Sequence, residues 1–536
     1  MIQSALDLRD RRAGFAALEA ETFDLLVIGG GITGTGVARD AALRGLRVAL
    51  VEANDLGSGT SSRSSKLIHG GIRYLAQGDL GVVRQAANER RILRRIAPHL
   101  ALTNPMVVLA KSKVGLKGFQ AAIWSYEKLG HVDKHERHEN WDLDHLKEEE
   151  PAVRAEDFAG AVVYPEYLTE DGRLVVANAR SAAAAGAVVM SYAAARRLIF
   201  EGERVSGAEV EGTLPGETQG SRVRAKVTVN AAGPWVDAVR LLEDPGADRR
   251  LQLTKGIHLV FHRERLPVSR TIIMNAVDKR GIFAVPRGRF VYLGTTDTFY
   301  PEPSYWPEIT PDDVRYLLDS AEPYFRLGRL KETDIISAWA GLRPLIGEEG
   351  KKPSEISRKD EIMEGPAGLL SIAGGKLTSF RSMAEQVVDR YEKMVGHKSE
   401  PSPTDEQPLP GGDFDLSMEA LRSRLGSLGF SPDDAWRAAQ LYGREALDIF
   451  VEDRGPAAEA RHAVLSEGAL TLEDYWVRRS ARARFDDNGG VGALEEAAAS
   501  MGVLLSWSEA ERRRQIEGCL SRRGRELQAL GLAEGL

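Results

Sequence analysis

Apolar and polar residues along this chain first follow the pattern of buried strands and then that of helices. From Phe23 the run FDLLVI is short and apolar, as a buried strand is, and it breaks into Gly29, Gly30 and Gly31. ITGTGVARDAALRGL then places apolar residues at helical spacing and closes at Gly45, and LRVALVE returns to a strand with Glu52 at its end. The same succession of strand, small residues and helix recurs in VTVNAAGPWVD (227–237) and GLLSIAGGKLTSFRSMAEQVVD (368–389), while KGIHLVF around His258 reads as a strand. The pattern predicts one α/β region over residues 22–395, preceded by a polar leader with one short helix. Pro401, Pro403, Pro408 and Pro410 deny a helix, so 396–412 is expected to be an extended linker. Residues 413–536 are expected to be helical. There Ser431 is an N-cap before Pro432, Asp433 and Asp434, and Gly443 is the stop.

Gly29, Gly31 and Gly34 form a GxGxxG. The first glycine permits the tight turn, the second lets backbone approach a pyrophosphate, and the third lets helix pack on strand. The helix start offers free N–H groups and a partial positive charge to an anion. Glu52 is placed to accept hydrogen bonds from ribose hydroxyls. A GxGxxG alone is weak, but strand, glycines, helix, strand and terminal acid follow in order within about 30 residues. This points to an adenine dinucleotide without separating FAD from NAD.

Charge and cysteine content narrow the partners. Among 536 residues, 71 Lys and Arg stand against 78 Asp and Glu, a net charge of −7, so nucleic acid is not the expected partner. The single cysteine, Cys519, excludes a disulfide framework and a cysteine-built metal site, and makes a reducing compartment the default. The uncharged run between Arg180 and Arg196 falls short of the ~18 apolar residues of a membrane span. The opening MIQSALDLRDRRAGF has no apolar core, so a cytoplasmic protein with at most peripheral membrane contact is expected.

The hydroxyl-rich run GSGTSSRSSKLIHGGIRYL (57–75) reads on its own as a polar turn. In company with GGGITGTGVARDAALRG, NAAGPWVD, KGIHLVF, YLGTTD, WAGLRPLI, SEISRKDEI and IAGGKLTSFR, spread over residues 23–390, it resembles the FAD-dependent glycerol-3-phosphate dehydrogenases. LEDYWVRRSARARFD (472–486) resembles that family's helical C-terminal domain more loosely. The resemblance implies a glutathione-reductase-like, Rossmann-like FAD-binding domain assembled from about 22–110, 155–250 and 345–395. It also implies a mixed-sheet substrate part at about 251–344 and a helical C-terminal domain. FAD is the implied cofactor. The implied reaction oxidises sn-glycerol 3-phosphate to dihydroxyacetone phosphate, with hydride passing from C2 to flavin N5 and electrons onward to a membrane quinone. A homodimer is carried as an expectation that the sequence leaves open.

By the same resemblance, cofactor contacts fall on Gly29, Gly31, Gly34, Glu52, Thr60, Ser61, Ser64, Ser65, Lys66, Leu67, Gly374, Gly375 and Thr378. His69, Arg73, His258, Arg343 and Lys376 are the catalytic candidates, with Tyr74 and Arg358 on the substrate. Arginine suits a phosphate because its planar fork binds oxygens in pairs. Either histidine has the pKa of a general base, and an alkoxide held by Lys376 or an arginine is the other option. His69 and Arg73 share a face if the chain between them is helical. His131, His135 and His138 have ligand-like spacing, but in so charged a stretch they read as a solvated face, and no metal is expected.

Residues 114–130 place Leu116, Phe119, Ile123 and Tyr126 near one helical face, with Trp124 beside them. That pattern fits either a helix packed on the core or one lying in a membrane interface. The Arg-rich stretch from Glu509 to Arg523 reads as a solvated helix or an aid to lipid attraction. Three rival readings stay open: an oxidase using oxygen, a flavin-binding module without catalysis, and a pyridine-nucleotide dehydrogenase.

Overall fold

Strand Thr22–Ile28 is buried at every position after its first because it lies in the middle of a parallel sheet. Gly220–Asn230 flanks it on one side and Val48–Val51 on the other, with Leu370–Gly374 and Val188–Met190 parallel beyond them. Asp360–Glu364 and the hairpin Ala193–Glu201/Arg204–Gly212 add antiparallel strands. The helix after the glycines, Ile32–Leu43, packs against helices Asp171–Ala184 and Phe380–Val395. Val27, Val37, Leu50, Val229 and Val387 meet in the core between these layers. The computed structural model describes residues 5–69, 80–130, 137–347, 360–398, 400–413 and 416–532.

The second sheet is mixed. Its longest strands, Leu251–His262 and Ile335–Ile346, pair antiparallel along nearly their whole length. Phe290–Gly294 and Thr298–Tyr300 also pair with Leu251–His262. Further out, Leu102–Ala110 and Gly160–Leu168 carry the sheet to the short strand Leu67–Ile68. His258 therefore sits on a strand buried on both faces, not on one with an open face.

The C-terminal region is helical, with Met418–Ser427, Pro432–Tyr442, Pro456–Glu467, Leu494–Leu505 and Glu509–Ala529 as its longer helices. The Ser431 hydroxyl accepts from the Asp434 N–H, and Gly443 ends that helix at φ 54°. The leader helix Arg11–Glu19 buries Phe15 and Leu18.

Packing corrects two expectations and sharpens a third. The proline-rich stretch has no helix among its described residues, yet it is not a free linker. Arg39 donates to the carbonyls of Thr404 and Gln407, the Leu409 N–H donates to Ile96, and Thr404 and Leu409 are buried. In helix Lys113–Gly130 the apolar residues split between two environments. Ile123 and Tyr126 are buried, while Phe119 is 38% and Trp124 56% exposed. The Arg-rich helix is not simply solvated, because Arg523 is buried, pairs with Glu526 and donates to the Ile336 carbonyl. Among the described residues no helix is long and apolar enough to cross a membrane.

Candidate active site

The carboxyl ends of the parallel strands open on a cavity of about 480 Å³. In an open α/β sheet this is where ligands bind. Gly29 turns at φ 113°, a conformation that a side chain disfavours. A Cβ on Gly34 would lie 1.9 Å from the Gly29 carbonyl oxygen, so helix and turn touch there. A Cβ on Gly31 would approach only Ser61 Oγ, at 3.2 Å, so that glycine leaves room on the cavity side.

Glu52 holds both carboxylate oxygens against backbone donors, Oε2 accepting from the Gly30 N–H (2.7 Å) and Oε1 from the Asn54 N–H (2.9 Å). Burial pushes its carboxyl above the usual range, and those two donors pull it part of the way back. The Ser61 hydroxyl accepts from the Ile32 N–H (3.0 Å), and Thr60 donates to the Leu342 carbonyl (2.7 Å). Ser64 donates to Asp171, and Gly374, Gly375 and Lys376 line the opposite wall.

Several assigned residues point elsewhere. Lys66 is buried in an ion cluster, 2.6 Å from Glu170 and 2.5 Å from Asp171, and Leu67 packs in the core of the second sheet. Neither side chain lines the cavity, because the chain at Lys66 turns at φ 53° and carries them inward. Thr378 is buried and donates to the carbonyl of His69 (2.9 Å). Ser65 lies 2.9 Å from His258 Nε2. Four contributors went unnoticed in the sequence. Asp171 anchors the hydroxyl run, Trp235 and Tyr305 stack at 4.2 Å on the cavity wall, and Pro344 lines it beside Arg343. The acidic pair Glu170-Asp171 directly before an apolar helix was the one available signal for the first of these.

Arg343 leaves strand Ile335–Ile346 half-buried. Its guanidinium donates to Asp297 Oδ1 (3.1 Å), the Thr296 carbonyl (3.3 Å) and Thr295 Oγ1 (3.0 Å). Room for it comes from Gly256 on the neighbouring strand, where a Cβ would lie 2.3 Å from Nη2. His258 stacks on Trp339 at 4.6 Å, and its Nδ1 is buried without a hydrogen-bond partner. Burial, then the charges of Arg343 and Lys66, hold its pKa well below the ordinary histidine value, so the ring is neutral at neutral pH. His69 follows a strand and not a helix, half-buried and edge-on to Phe283 at 5.8 Å. Arg73, Tyr74 and Arg358, with Gly70 and Gly71, lie outside the described residues, as do His131 and His135, while His138 bonds Glu127 at 2.9 Å.

A turn closed by glycine, a helix N-terminus facing a cavity and an acid at the second strand's end define a dinucleotide-binding site, and FAD fits it. The family described as FAD dependent oxidoreductase matches residues 24–381, and the C-terminal domain of alpha-glycerophosphate oxidase matches residues 402–512. An aerobic glycerol-3-phosphate dehydrogenase of Staphylococcus aureus is 38% identical over 520 residues, 92% of this chain and 93% of the relative. One from Staphylococcus epidermidis is 36% identical over 521 residues, with coverage of 92% and 93%. The crystal structure of a glycerol-3-phosphate dehydrogenase from Bacillus halodurans complexed with FAD superposes with a TM-score of 0.80 at 31% identity. It covers 98% of this chain and 99% of its own. An L-alpha-glycerophosphate oxidase from Mycoplasma pneumoniae, at 16% identity and TM-score 0.57 over 73% of this chain and 99% of its own, shares the fold. The chain belongs to the FAD-dependent glycerol-3-phosphate dehydrogenase family. It is an enzyme, and its cofactor is FAD.

Proposed function

We propose that this enzyme oxidises sn-glycerol 3-phosphate to dihydroxyacetone phosphate and delivers the electrons to a membrane quinone. The observation that carries the substrate reading is the pre-oriented Arg343 fork, on the strand whose next residue, Pro344, lines the cavity that Lys376 also lines. When bound, FAD supplies the acceptor for the C2 hydride. Asp297, Thr295 and the Thr296 carbonyl fix the guanidinium plane before substrate arrives, so little rotamer freedom is lost on clamping the phosphate. Lys376 adds a second positive charge from the cavity wall. The proton of the substrate's C2 hydroxyl either passes to neutral His258, which is hydrogen-bonded at Nε2 to the half-buried Ser65 hydroxyl, or leaves behind an alkoxide held by Lys376 or Arg343. The charges disfavouring an imidazolium at His258 support the second route.

Anaerobic addition of glycerol 3-phosphate should bleach the flavin. Arg343→Ala should lose about 30-fold to several thousand-fold in kcat/KM, the worth of a hydrogen-bonded charge partner. Arg343→Lys should recover part of it, since an ammonium keeps the charge but not the paired geometry. On glycerol, which has no phosphate, Arg343→Ala should scarcely change the already low rate. Equal fractional losses on both substrates would reassign the clamp to Arg73, Arg358 or Lys376.

The quinone reading rests on helix Lys113–Gly130, where Val114, Phe119 and Trp124 are exposed and Lys128 lies 5.5 Å from the Trp124 ring. An exposed aliphatic, two aromatics and a flanking lysine suit a peripheral contact with the cytoplasmic face of a membrane. Phe119→Glu with Trp124→Glu should stop the protein floating with anionic liposomes and lower quinone-linked activity, leaving dye-linked activity intact. Flotation equal to the parent's would remove this helix as the anchor. Rapid reoxidation of the bleached flavin by air would favour oxygen as acceptor.

A further inference from the structure

Behind the cofactor cavity, between it and the C-terminal helices, lies a second cavity of about 610 Å³. Its walls carry five arginines, Arg63, Arg478, Arg514, Arg522 and Arg525, against two carboxylates, Asp55 and Glu473. Both acids are already engaged. Asp55 is held by Arg478 and Arg479, and Glu473 by Arg478 and by Arg522 at 2.7 Å.

Arg63 is the exception among the five. It is 4% exposed, and its guanidinium makes one long hydrogen bond, Nε to the Ser58 carbonyl at 3.4 Å. Its Nη2 is buried with no hydrogen-bond partner, and so is the hydroxyl of Ser58 on the same wall. It stacks on Trp306 at 3.9 Å, and Arg522 stacks on the same ring at 3.6 Å. Two guanidinium groups on one indole bring like charges together where water is scarce. Burial, then Arg484, Arg478 and Arg522, all disfavour charge on Arg63, with only Glu473 acting the other way. A buried cation opposed by three guanidiniums and supported by one shared carboxylate is costly, and chains retain such a group where something further pairs with it.

We propose that this cavity is an anion site for a phosphate group, carried by a free ion or a small organic ester, with Arg63 as its floor. Arg63 lines the cavity, and its buried, unpartnered Nη2 holds a donor that a phosphate oxygen would accept once the guanidinium turns toward it. The unpartnered Ser58 hydroxyl adds a second donor, and the exposed Arg514 and Arg525 stand at the mouth, where they attract an anion. Tyr305 and Trp306 give an aromatic flank for the organic part of an ester. Because Ser58 and Tyr305 line both cavities, an occupant would abut the cofactor region without entering it.

Flavin-loaded enzyme, titrated calorimetrically with inorganic phosphate at constant ionic strength, tests this site. The titrations are run in an Arg343→Ala background, so that the clamp of the proposed reaction does not contribute. Binding should persist in that background and weaken by about tenfold or more when Arg63→Gln is added, as loss of a charge-assisted bond requires. Arg525→Gln, at an exposed position, should weaken binding by a smaller factor. Tighter binding of phenyl phosphate than of phosphate would identify an organic ester as the occupant, and equal binding a free anion. If Arg343→Ala alone abolishes binding, phosphate occupies only the catalytic cavity and the proposal falls. It falls as well if chloride at equal ionic strength reproduces the heats, or if Arg63→Gln and Arg525→Gln both bind as their background does. Failure of the Arg343 clamp would appear separately, as equal losses on glycerol and glycerol 3-phosphate.

Discussion

At the cofactor cavity the chain makes room by leaving side chains out, while at the seam with the C-terminal helices it fills space with charge. Gly29, Gly31 and Gly34 clear the ground for FAD, and the polar groups there are mostly backbone N–H or short hydroxyls. At the seam, buried Asp55 accepts from Arg479 at 2.6 and 2.7 Å and from Arg478 as well. Buried Glu467 takes Arg173 at 2.5 Å and His462 at 3.0 Å, and Arg180 forks onto Glu445 at 2.7 Å. Omitting a side chain makes a site whose failure shows as a lost ligand. A buried charge pair makes a joint whose failure shows as lost fold, since removing one partner strands the other.

The comparison is broken most directly at Gly31. Gly31→Val should fold and yet carry little flavin, because a Cβ there approaches only the Ser61 hydroxyl on the protein side while the branched side chain blocks approach to the pyrophosphate. Flavin absorbance per mole of purified protein reads this. Normal flavin content would overturn the assignment of the opening turn.

At the seam, Asp55→Asn should cost about 3–5 kcal/mol of stability, the usual penalty for removing one partner of a buried ion pair. Denaturant unfolding of flavin-loaded protein measures it. A change below about 1 kcal/mol would mean that Arg478 and Arg479 find other acceptors without difficulty.

Acid separates the two regions as well. Arg437 and Arg482 lower buried Glu459 from 4.5 to about 2, and Asp55 is likewise held below its ordinary value by Arg479 and Arg478. A folded-state pKa below the unfolded one gives stability that is complete above the unfolded value and is lost as pH falls through the folded value. For Glu459 the window runs from about 4.5 down to about 2, and the contribution at neutral pH is of order 3 kcal/mol. Glu52 is raised, so its contribution has the opposite sign and fades as pH rises through its pKa. Glu459→Gln should therefore flatten the acid limb of a stability-against-pH curve. An unchanged limb would assign acid sensitivity to the other buried carboxylates.

The contrast also explains what the sequence could reveal. The strand, glycines, helix and Glu52 are contiguous, and their spacing is set by one turn of backbone, so the cofactor region was legible. So was the helix opening at Ser431-Pro432, where cap and first turn are neighbours. The seam was not, because Asp55 and Arg479 are 424 residues apart, and Arg173 and Glu467 are 294 apart. The surroundings of the Lys66 side chain are hidden in the sequence for a related reason. The residue stands within a hydroxyl row that does face the cavity, but its left-handed backbone aims it at Glu170 and Asp171, over 100 residues away. The amphipathic stripe on 113–130 was visible as a pattern, but helical spacing alone does not tell which of its residues the second sheet covers.

The smallest expected effect lies where the two modes of construction meet. Gly31 is the N-cap of helix Ile32–Leu43 and has no side chain to accept from the first turn. Ser61, brought across from the hydroxyl run, accepts from the Ile32 N–H in its place. Ser61→Ala should therefore behave as a cap loss, costing about 0.5–2 kcal/mol in denaturant unfolding while leaving flavin content near the parent's. That is the reverse of Gly31→Val, which should lose flavin with little change in fold. If Ser61→Ala instead releases the flavin and leaves stability unchanged, its hydroxyl belongs to the cofactor and not to the helix. The helix start would then not depend on the Ser61 cap, and flavin occupancy would fall in variants of this turn without a matching loss of stability.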